Sequence, residues 1–133
     1  MRNTDFGPDA VGPILRLPSE ILVVEDNFLI ALDTRDMLLE IGVESVRCAD
    51  SVARALELIE NLVPQFCLLD VNLGPEKCFD VAQRLWELKV PFAFATGYGE
   101  TDTFPAHLAD TQIVSKPYTK EALRRVILIP GTP

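Results

Sequence analysis

The sequence is poor in several residue types that mark common functional sites. It has one histidine, and its three cysteines, Cys48, Cys67 and Cys78, do not follow the spacing of metal ligands. An odd number of cysteines without such spacing is typical of reduced thiols, mostly buried, in a cytoplasmic protein and not of a disulfide framework. A glycine-rich phosphate loop and a Ser-His-Asp arrangement are also missing from the sequence. These gaps argue against zinc, disulfide, nucleotide-loop and serine-hydrolase chemistry.

Long apolar runs and clustered positive charges are missing as well. No apolar run approaches the roughly 18 residues of a membrane-spanning helix, and the N-terminus carries acids and prolines where a signal peptide needs an apolar stretch. The net charge is −8 and the twelve Lys and Arg residues are scattered, whereas binding a phosphate backbone needs clustered cations. We expect a cytoplasmic protein that binds neither membrane nor nucleic acid. The acidity itself allows two interpretations, general solubility or a local acidic pocket that holds a cation.

What the sequence does contain is a regular alternation of short apolar runs with helical patterns. Five runs predict buried strands: EILVVED, ESVRCA, QFCLLDV, PFAFAT and TQIVSK. Helices are predicted over residues 28–41, from a Ser51 cap to Pro64, near residues 77–89 and after Thr119. The apolar positions of the first helix are Phe28, Leu29, Leu32, Met37, Leu38 and Ile41. Between the fourth and fifth strands the sequence is polar and interrupted by proline, which leaves room for at most one short helix.

This alternation predicts a parallel α/β sheet covered by helices on both faces, with right-handed connections. A flavodoxin-like, doubly wound (βα)5 fold with strand order 2-1-3-4-5 and a short or irregular fourth helix suits five strands. A chain of 133 residues is long enough for one domain. We assign that domain to residues 19–129, with a flexible extension over residues 1–18 and a tail over residues 130–133. Whether the ILRL segment of the extension rests on the domain is left open.

Polar side chains stand where four of the predicted strands end. Glu25 and Asp26 end the first strand, Asp70 the third, Thr96 the fourth and Lys116 the fifth. Ligands of open α/β sheets bind beyond the carboxyl ends of the strands, so we expect these side chains to converge at one edge. Converging carboxylates repel each other unless a cation lies among them, and hard oxygen ligands suit Mg²⁺.

We interpret Glu25 and Asp26 as a metal-binding acid pair, which leaves one carboxylate for chemistry. An aspartate can act as a nucleophile that forms an aspartyl-phosphate. Its attack on a phosphoryl group needs the metal and a further cation to neutralise charge on the phosphoryl oxygens. Lys116 can supply that cation, and the hydroxyl of Thr96 can donate a hydrogen bond to a phosphoryl oxygen.

Four short pieces, each at the end of a predicted strand, carry a resemblance to a known family. With VVEDN, LLDVNL, the threonine that ends strand four, and SKP in this order, the chain resembles the receiver domain of bacterial two-component response regulators. The resemblance implies that Asp70 accepts phosphate from the phosphohistidine of a histidine kinase. It also implies that Asp26, Asp70 and the backbone carbonyl of Asn72 bind Mg²⁺, with Glu25 acting through water.

A narrower likeness lies in PFAFATGYGE, which is similar to the FATGUY group of receivers. That group consists mostly of single-domain proteins, is found chiefly in alphaproteobacteria and is linked there to stress signalling. Many receivers have an aromatic switch residue three positions before the lysine, but here that position is Ile113. Tyr98, two residues after Thr96, is the candidate to take over, because Gly97 beside it lets the backbone reorient. Pro117 is expected to shape the loop that positions the lysine.

The function predicted from these residues is that of a single-domain response regulator and not of an enzyme, with at most slow self-dephosphorylation. Its output is expected to be phosphorylation-dependent binding of a downstream protein, or a phosphorelay with a sensor histidine kinase or histidine phosphotransfer protein. A first alternative is a Mg²⁺-dependent phosphohydrolase with an aspartate nucleophile; Asn72 stands where such enzymes carry their general acid/base and argues against it. A second is a pseudo-receiver that binds a partner without phosphorylation, which the intact acid set, Thr96 and Lys116 oppose.

Overall fold

The computed structural model describes residues 14–73, 76–97, 106–108 and 111–131. These residues form nine strands, four α-helices and one short 3₁₀ helix. In chain order the elements are β1 (Leu15–Arg16), β2 (Glu20–Val24), α1 (Phe28–Ile41), β3 (Ser45–Ala49), α2 (Val52–Asn61), β4 (Phe66–Asp70), β5 (Asn72–Leu73), β6 (Glu76–Lys77), α3 (Phe79–Glu87), β7 (Phe92–Thr96), the 3₁₀ helix (Ala106–Leu108), β8 (Gln112–Ser115), α4 (Lys120–Ile127) and β9 (Ile129–Pro130).

The central sheet has five strands in the order β3-β2-β4-β7-β8, and every neighbouring pair is parallel. Numbered along the chain, these strands follow the order 2-1-3-4-5, so the predicted flavodoxin-like topology is confirmed. Strand β4 lies at the centre, with β2 on one side and β7 on the other. The carboxyl ends of all five strands therefore meet at one edge of the sheet.

The apolar runs of the sequence are explained by burial on both faces of this sheet. Leu22 and Val24 of β2 belong to one hydrophobic cluster, which includes residues of α2 and α3. Ile21 and Val23 alternate with them and belong to a second cluster, which includes residues of α1 and α4. Because side chains along a strand point alternately to opposite faces, a strand covered on both sides needs apolar residues at consecutive positions.

Side-chain caps set the beginnings of three helices. Asn27 accepts a hydrogen bond from the backbone N–H of Ile30 at the start of α1, and Ser51 and Thr119 do the same for α2 and α4. Gly42 ends α1 with φ at +127°, a conformation that favours glycine. The third predicted helix begins later than residue 77, because residues 76–77 pair with residues 72–73 in a short hairpin.

The buried face of α1 differs from its predicted apolar stripe. Phe28 and Leu29 are 74% and 73% exposed, whereas Ala31, Thr34 and Leu38 are the buried residues of the helix. Phe28 and Leu29 form the first turn, directly after the acid pair at the end of β2. Met37, Leu38 and Ile41 of the predicted stripe do pack against the core cluster, so the departure is confined to the first turn, and Ala31 and Thr34 are buried in addition.

Part of the predicted N-terminal extension is an ordered strand. Leu15–Arg16 pairs antiparallel with Ile129–Pro130 near the other end of the chain, and the Gly131 N–H donates to the Ile14 carbonyl at 2.6 Å. Leu17 packs against the hydrophobic cluster on the α1 and α4 face. The flexible extension predicted for residues 1–18 is therefore wrong for residues 15–16, which the pairing holds in place.

The described part of the connection between β7 and β8 is a single 3₁₀ turn over residues 106–108, in agreement with the predicted short fourth helix. Leu108 is buried, and His107 Nε2 lies 2.6 Å from Gln83 Oε1 of α3. Cys67 and Cys78 are buried free thiols, while Cys48 is exposed. Within the described ranges, no helix combines the length and the apolar character that a membrane crossing requires.

Candidate functional site

Three carboxylates meet at the carboxyl edge of the sheet. Asp70 is the last residue of β4, and Glu25 and Asp26 directly follow β2. One oxygen from each of the three lies within 4.8 Å of the other two. Glu25 and Asp70 are only 4% and 3% exposed, while Asp26 faces solvent. The structure thus brings together the three acids that the sequence singled out.

The Lys116 ammonium group forms ion pairs with the two buried carboxylates. Lys116 directly follows β8, and its Nζ donates to Glu25 Oε1 at 3.0 Å and to Asp70 Oδ2 at 3.3 Å. Its backbone N–H donates to the carbonyl of Thr96 at 2.8 Å, which continues the ladder between β7 and β8 by one bond. The pairing of β8 with β7 therefore places Lys116 at the same edge of the sheet as Glu25 and Asp70.

Backbone amides hold the second oxygen of each buried carboxylate. The Asn27 N–H donates to Glu25 Oε2 at 3.1 Å, and the Asn72 N–H donates to Asp70 Oδ1 at 3.2 Å. Each of these carboxylates therefore accepts one hydrogen bond from a backbone amide and one from Lys116. Such bonds compensate in part for taking charged groups out of water.

Burial changes the pKa values of the titratable side chains at the site. It raises the pKa of Glu25 to about 7, against the hydrogen bonds from Asn27 and Lys116, which lower it. It also raises the pKa of Asp70, although the charge of Lys116 acts in the opposite direction. Burial would lower the pKa of Lys116, but its hydrogen bond to Glu25 and the charge of Asp70 outweigh this and raise it. The two carboxylates therefore hold a proton more readily than free side chains do.

The donors at this edge fit a hard divalent cation. The three carboxylates offer only oxygen atoms as ligands, which Mg²⁺ prefers. Both oxygens of Glu25 and both oxygens of Asp70 already accept hydrogen bonds from the protein. Asp26 is the exposed member of the group, so its carboxylate is the more accessible direct ligand.

The remaining predicted residues lie around this centre or outside the described chain. Thr96 is half-buried at the end of β7, one residue after Ala95, which pairs with Asp70. Gly97 and Pro117 line a pocket of about 470 Å³ between the carboxyl edge and α1. Tyr98 lies outside the described residues, so its role as a switch stays a prediction.

Two residues beside the site were not singled out from the sequence. Tyr118 and Thr34 line the same 470 Å³ pocket, and the Thr34 hydroxyl donates to the Ile30 carbonyl at 2.8 Å. Thr34 is only 1% exposed. A threonine in the middle of a helix predicted to pack on a sheet was a usable signal, because a buried hydroxyl needs a partner.

Comparison with known proteins identifies the family. A family model described as "Response regulator receiver domain" matches residues 21–128. The chain belongs to this family. The predicted resemblance to receiver domains is therefore confirmed. Receiver domains are signalling phosphoacceptors that bind Mg²⁺ at an acidic pocket and interact with histidine kinases or histidine phosphotransfer proteins.

Two solved structures are similar to this chain in both fold and sequence. The receiver is similar to SdrG from Sphingomonas melonis Fr1, with 35% identity and a TM-score of 0.72, over 82% of this chain and 92% of that one. It is also similar to the PhyR stress response regulator, with 26% identity and a TM-score of 0.68, over 84% of this chain and 44% of that one.

Curated relatives are longer than this chain. The sensory transduction protein LytT of Enterococcus faecalis is 36% identical over 87 residues, which are 64% of this chain and 36% of LytT. The transcriptional regulatory protein PdtaR of Mycobacterium tuberculosis is 30% identical over 65% of this chain and 42% of PdtaR. The chain spans less than half the length of these relatives.

Proposed function

We propose that this receiver accepts a phosphoryl group on Asp70 from the phosphohistidine of a sensor histidine kinase or histidine phosphotransfer protein. The observation that carries the proposal is the position of Asp70. It is almost fully buried on the central strand, its Oδ2 faces the Lys116 ammonium, and two further carboxylates lie within 4.8 Å. Such a group of acids with one lysine suits phosphoryl transfer, which depends mainly on positioning and on neutralising charge.

In this proposal an Asp70 oxygen attacks phosphorus, the bond between phosphorus and the histidine nitrogen breaks, and the neutral imidazole leaves after taking up a proton. The Asn72 N–H orients the acceptor carboxylate through Oδ1. Lys116, already 3.3 Å from Oδ2, follows the negative charge onto a phosphoryl oxygen. Thr96 donates to another phosphoryl oxygen from the end of the neighbouring strand β7.

The proposed Mg²⁺ ligands are Asp26, Asp70 and the backbone carbonyl of Asn72, with Glu25 acting through water. When bound, Mg²⁺ would neutralise charge on the phosphoryl oxygens. Support comes from the all-oxygen donor set and from the exposure of Asp26. The Asn72 amide does not titrate and cannot act as a general acid/base, so we propose a phosphoacceptor with at most slow self-dephosphorylation.

The acceptor is tested by labelling. Purified protein is incubated with a phosphorylated histidine kinase, or with acetyl phosphate and Mg²⁺, and the aspartyl-phosphate is quantified. Asp70→Asn is expected to remove the label while circular dichroism shows an unchanged fold. The matched control, Asp80→Asn on the exposed first turn of α3, is expected to label like the wild type. Undiminished labelling of Asp70→Asn refutes the assignment.

An exposed apolar pair beside the acids supports a protein phosphodonor. Phe28 and Leu29 form the first turn of α1, next to Asp26, and are about three-quarters exposed. Side by side, these two exposed side chains form a contiguous apolar patch, which a partner protein can cover. We propose that the phosphodonor protein packs on this turn while its histidine reaches the pocket.

This docking surface is tested by comparing two phosphodonors. Leu29→Arg is expected to slow transfer from the kinase or phosphotransfer protein and to leave the rate with acetyl phosphate unchanged, because the small donor needs no docking. Leu39→Arg is the control, since Leu39 lies near the other end of the same helix and is also exposed. Equal rates of Leu29→Arg and Leu39→Arg with the protein donor contradict the surface.

The output is proposed to be phosphorylation-dependent binding of a downstream protein in stress signalling, or onward transfer in a phosphorelay. The FATGUY-like segment and the likeness to the PhyR stress response regulator support the stress context. Pull-down from a lysate with beryllofluoride-treated protein, compared with Asp70→Asn treated in the same way, tests the output. Identical captured proteins in the two samples contradict phosphorylation-dependent binding.

A further inference from the structure

Asn27, in the turn between β2 and α1, forms hydrogen bonds through both its backbone and its side chain. Its N–H donates to Glu25 Oε2 at 3.1 Å, and its side-chain Oδ1 accepts from the Ile30 N–H at 3.1 Å. Its carbonyl accepts from the Ala31 N–H at 2.9 Å. One residue therefore joins the buried carboxylate of Glu25 to the first turn of the helix.

The part of α1 to which Asn27 is bonded is itself fixed to the core. Ala31 and Thr34 are 6% and 1% exposed, and the Thr34 hydroxyl donates to the Ile30 carbonyl at 2.8 Å. The capping bond holds Asn27 in an extended conformation, with φ at −86° and ψ at 114°, which is typical of a residue that begins a helix. The orientation of the Asn27 N–H is thus set by the packed helix that follows it.

Asp26 lies between two residues whose backbones are held. On one side the Glu25 N–H donates to the Ala49 carbonyl at 2.9 Å, which continues the ladder between β2 and β3. On the other side Asn27 is bonded to α1. Because the rotamers open to a side chain depend on its backbone conformation, holding both neighbours restricts the directions that the exposed Asp26 carboxylate can take.

We propose that Asn27 is a positioning residue for Asp26, the proposed direct ligand of Mg²⁺. The inference rests on the proposed function and deepens it. Without Oδ1 the Ile30 N–H loses its acceptor, so the first turn opens more readily and the backbone N–H of residue 27 leaves Glu25 Oε2 more often. Mg²⁺ needs near-ideal ligand geometry, so a less restricted Asp26 binds it more weakly.

The test compares the loss of this cap with the loss of a similar cap elsewhere. Asn27→Ala removes the accepting oxygen, whereas Asn27→Ser keeps a side chain that caps helices well. Ser51→Ala is the matched control, since Ser51 Oγ accepts from the Arg54 N–H at 3.1 Å at the start of α2. In an NMR titration with MgCl₂ alone, we expect Asn27→Ala to bind roughly threefold to tenfold more weakly than the wild type. Asn27→Ser and Ser51→Ala should bind like the wild type.

A second readout needs neither metal nor phosphodonor. Hydrogen exchange in the metal-free protein gives the protection of each backbone amide, corrected for its intrinsic rate. Asn27→Ala should lose protection at residue 27, where the amide is bonded to Glu25, and Asn27→Ser should regain it. Amides in the middle of β2 report overall opening and should lose protection to a similar extent in Asn27→Ala and Ser51→Ala.

Weaker Mg²⁺ binding of Asn27→Ala with a local loss of protection at residue 27, both recovered in Asn27→Ser, supports the proposal. It is overturned by unchanged affinity, by unchanged protection, by an equal loss of affinity in Ser51→Ala, or by a loss that Asn27→Ser does not recover. If the wild type binds Mg²⁺ but is not labelled on Asp70, the phosphoacceptor function fails, while the titration still decides the role of Asn27. A wild type that binds no Mg²⁺ overturns the proposed metal site and this inference together.

Discussion

Replacing Glu25 with Gln should stabilise the protein at pH 8 and have little effect near pH 5. Burial raises the pKa of Glu25 from the ordinary value of 4.5 to about 7. Between pH 4.5 and about pH 7, the folded state therefore keeps a proton on Glu25 that the unfolded state has already released. Because the folded state holds more protons in this window, stability falls as pH rises from about 4.5 to about 7 and levels off above it.

The size of the effect follows from the shift. A difference of one pKa unit corresponds to about 1.36 kcal/mol, so a rise from 4.5 to about 7 corresponds to about 3 kcal/mol at most. Glutamine resembles the neutral carboxyl and carries no such cost at pH 8. The raised pKa of Asp70 acts in the same direction. The raised pKa of Lys116 affects stability only at alkaline pH, because below its unfolded pKa that contribution is fully present.

Urea unfolding followed by circular dichroism, in buffer with a chelator, measures the free energy of unfolding at each pH. The wild type should lose stability between pH 5 and pH 8, whereas the profile of Glu25→Gln should be flatter, with a free energy of unfolding at pH 8 higher by about 3 kcal/mol. Exposed Glu44 provides the control, since Glu44→Gln should follow the wild-type profile. Parallel profiles of Glu25→Gln and wild type would show that burial of Glu25 does not govern the site.

Three further outcomes are expected. In a Mg²⁺ titration, Asp26→Ala should weaken binding and slow phosphorylation more than Glu25→Ala, because Asp26 is the exposed carboxylate; a reversed order contradicts that division. Beryllofluoride should shift NMR signals of residues 97–108, with smaller shifts in Tyr98→Ala; shifts confined to other surfaces would contradict the Tyr98 switch. Deleting residues 1–17 should destabilise the domain by roughly 1–2 kcal/mol through lost apolar burial and strand pairing, and an unchanged urea midpoint would show that the β1–β9 pairing contributes nothing.

The sheet could be predicted well because its signals are local. Each buried strand shows a short continuous apolar run, and the caps at Asn27, Ser51 and Thr119 lie next to the helices they begin. Parallel topology then places the ends of all strands at one edge without any knowledge of side-chain contacts. That is why the convergence of Asp70 and Lys116 could be expected from the sequence, and the structure shows these two side chains in contact.

The features that could not be predicted depend on pairs of distant segments. Pairing of Leu15–Arg16 with Ile129–Pro130 leaves no mark in either dipeptide, because two residues are too few to show the alternating pattern of a strand. The apolar stripe of α1 did not predict which residues near the start of the helix are buried, for a related reason. Helical spacing states which residues share a face, but only the position of the helix on the sheet decides that Phe28 is exposed and Thr34 buried.

That reversal in α1 has a consequence for the site. Phe28 and Ala31 line a pocket together with Glu25 and Asp26. Because Ala31, Thr34 and Leu38 are the buried residues of the helix, Phe28 and Leu29 are left exposed beside the acids, where a phosphodonor protein can contact them. A helix that buried these two large side chains would leave no such apolar surface next to Asp26.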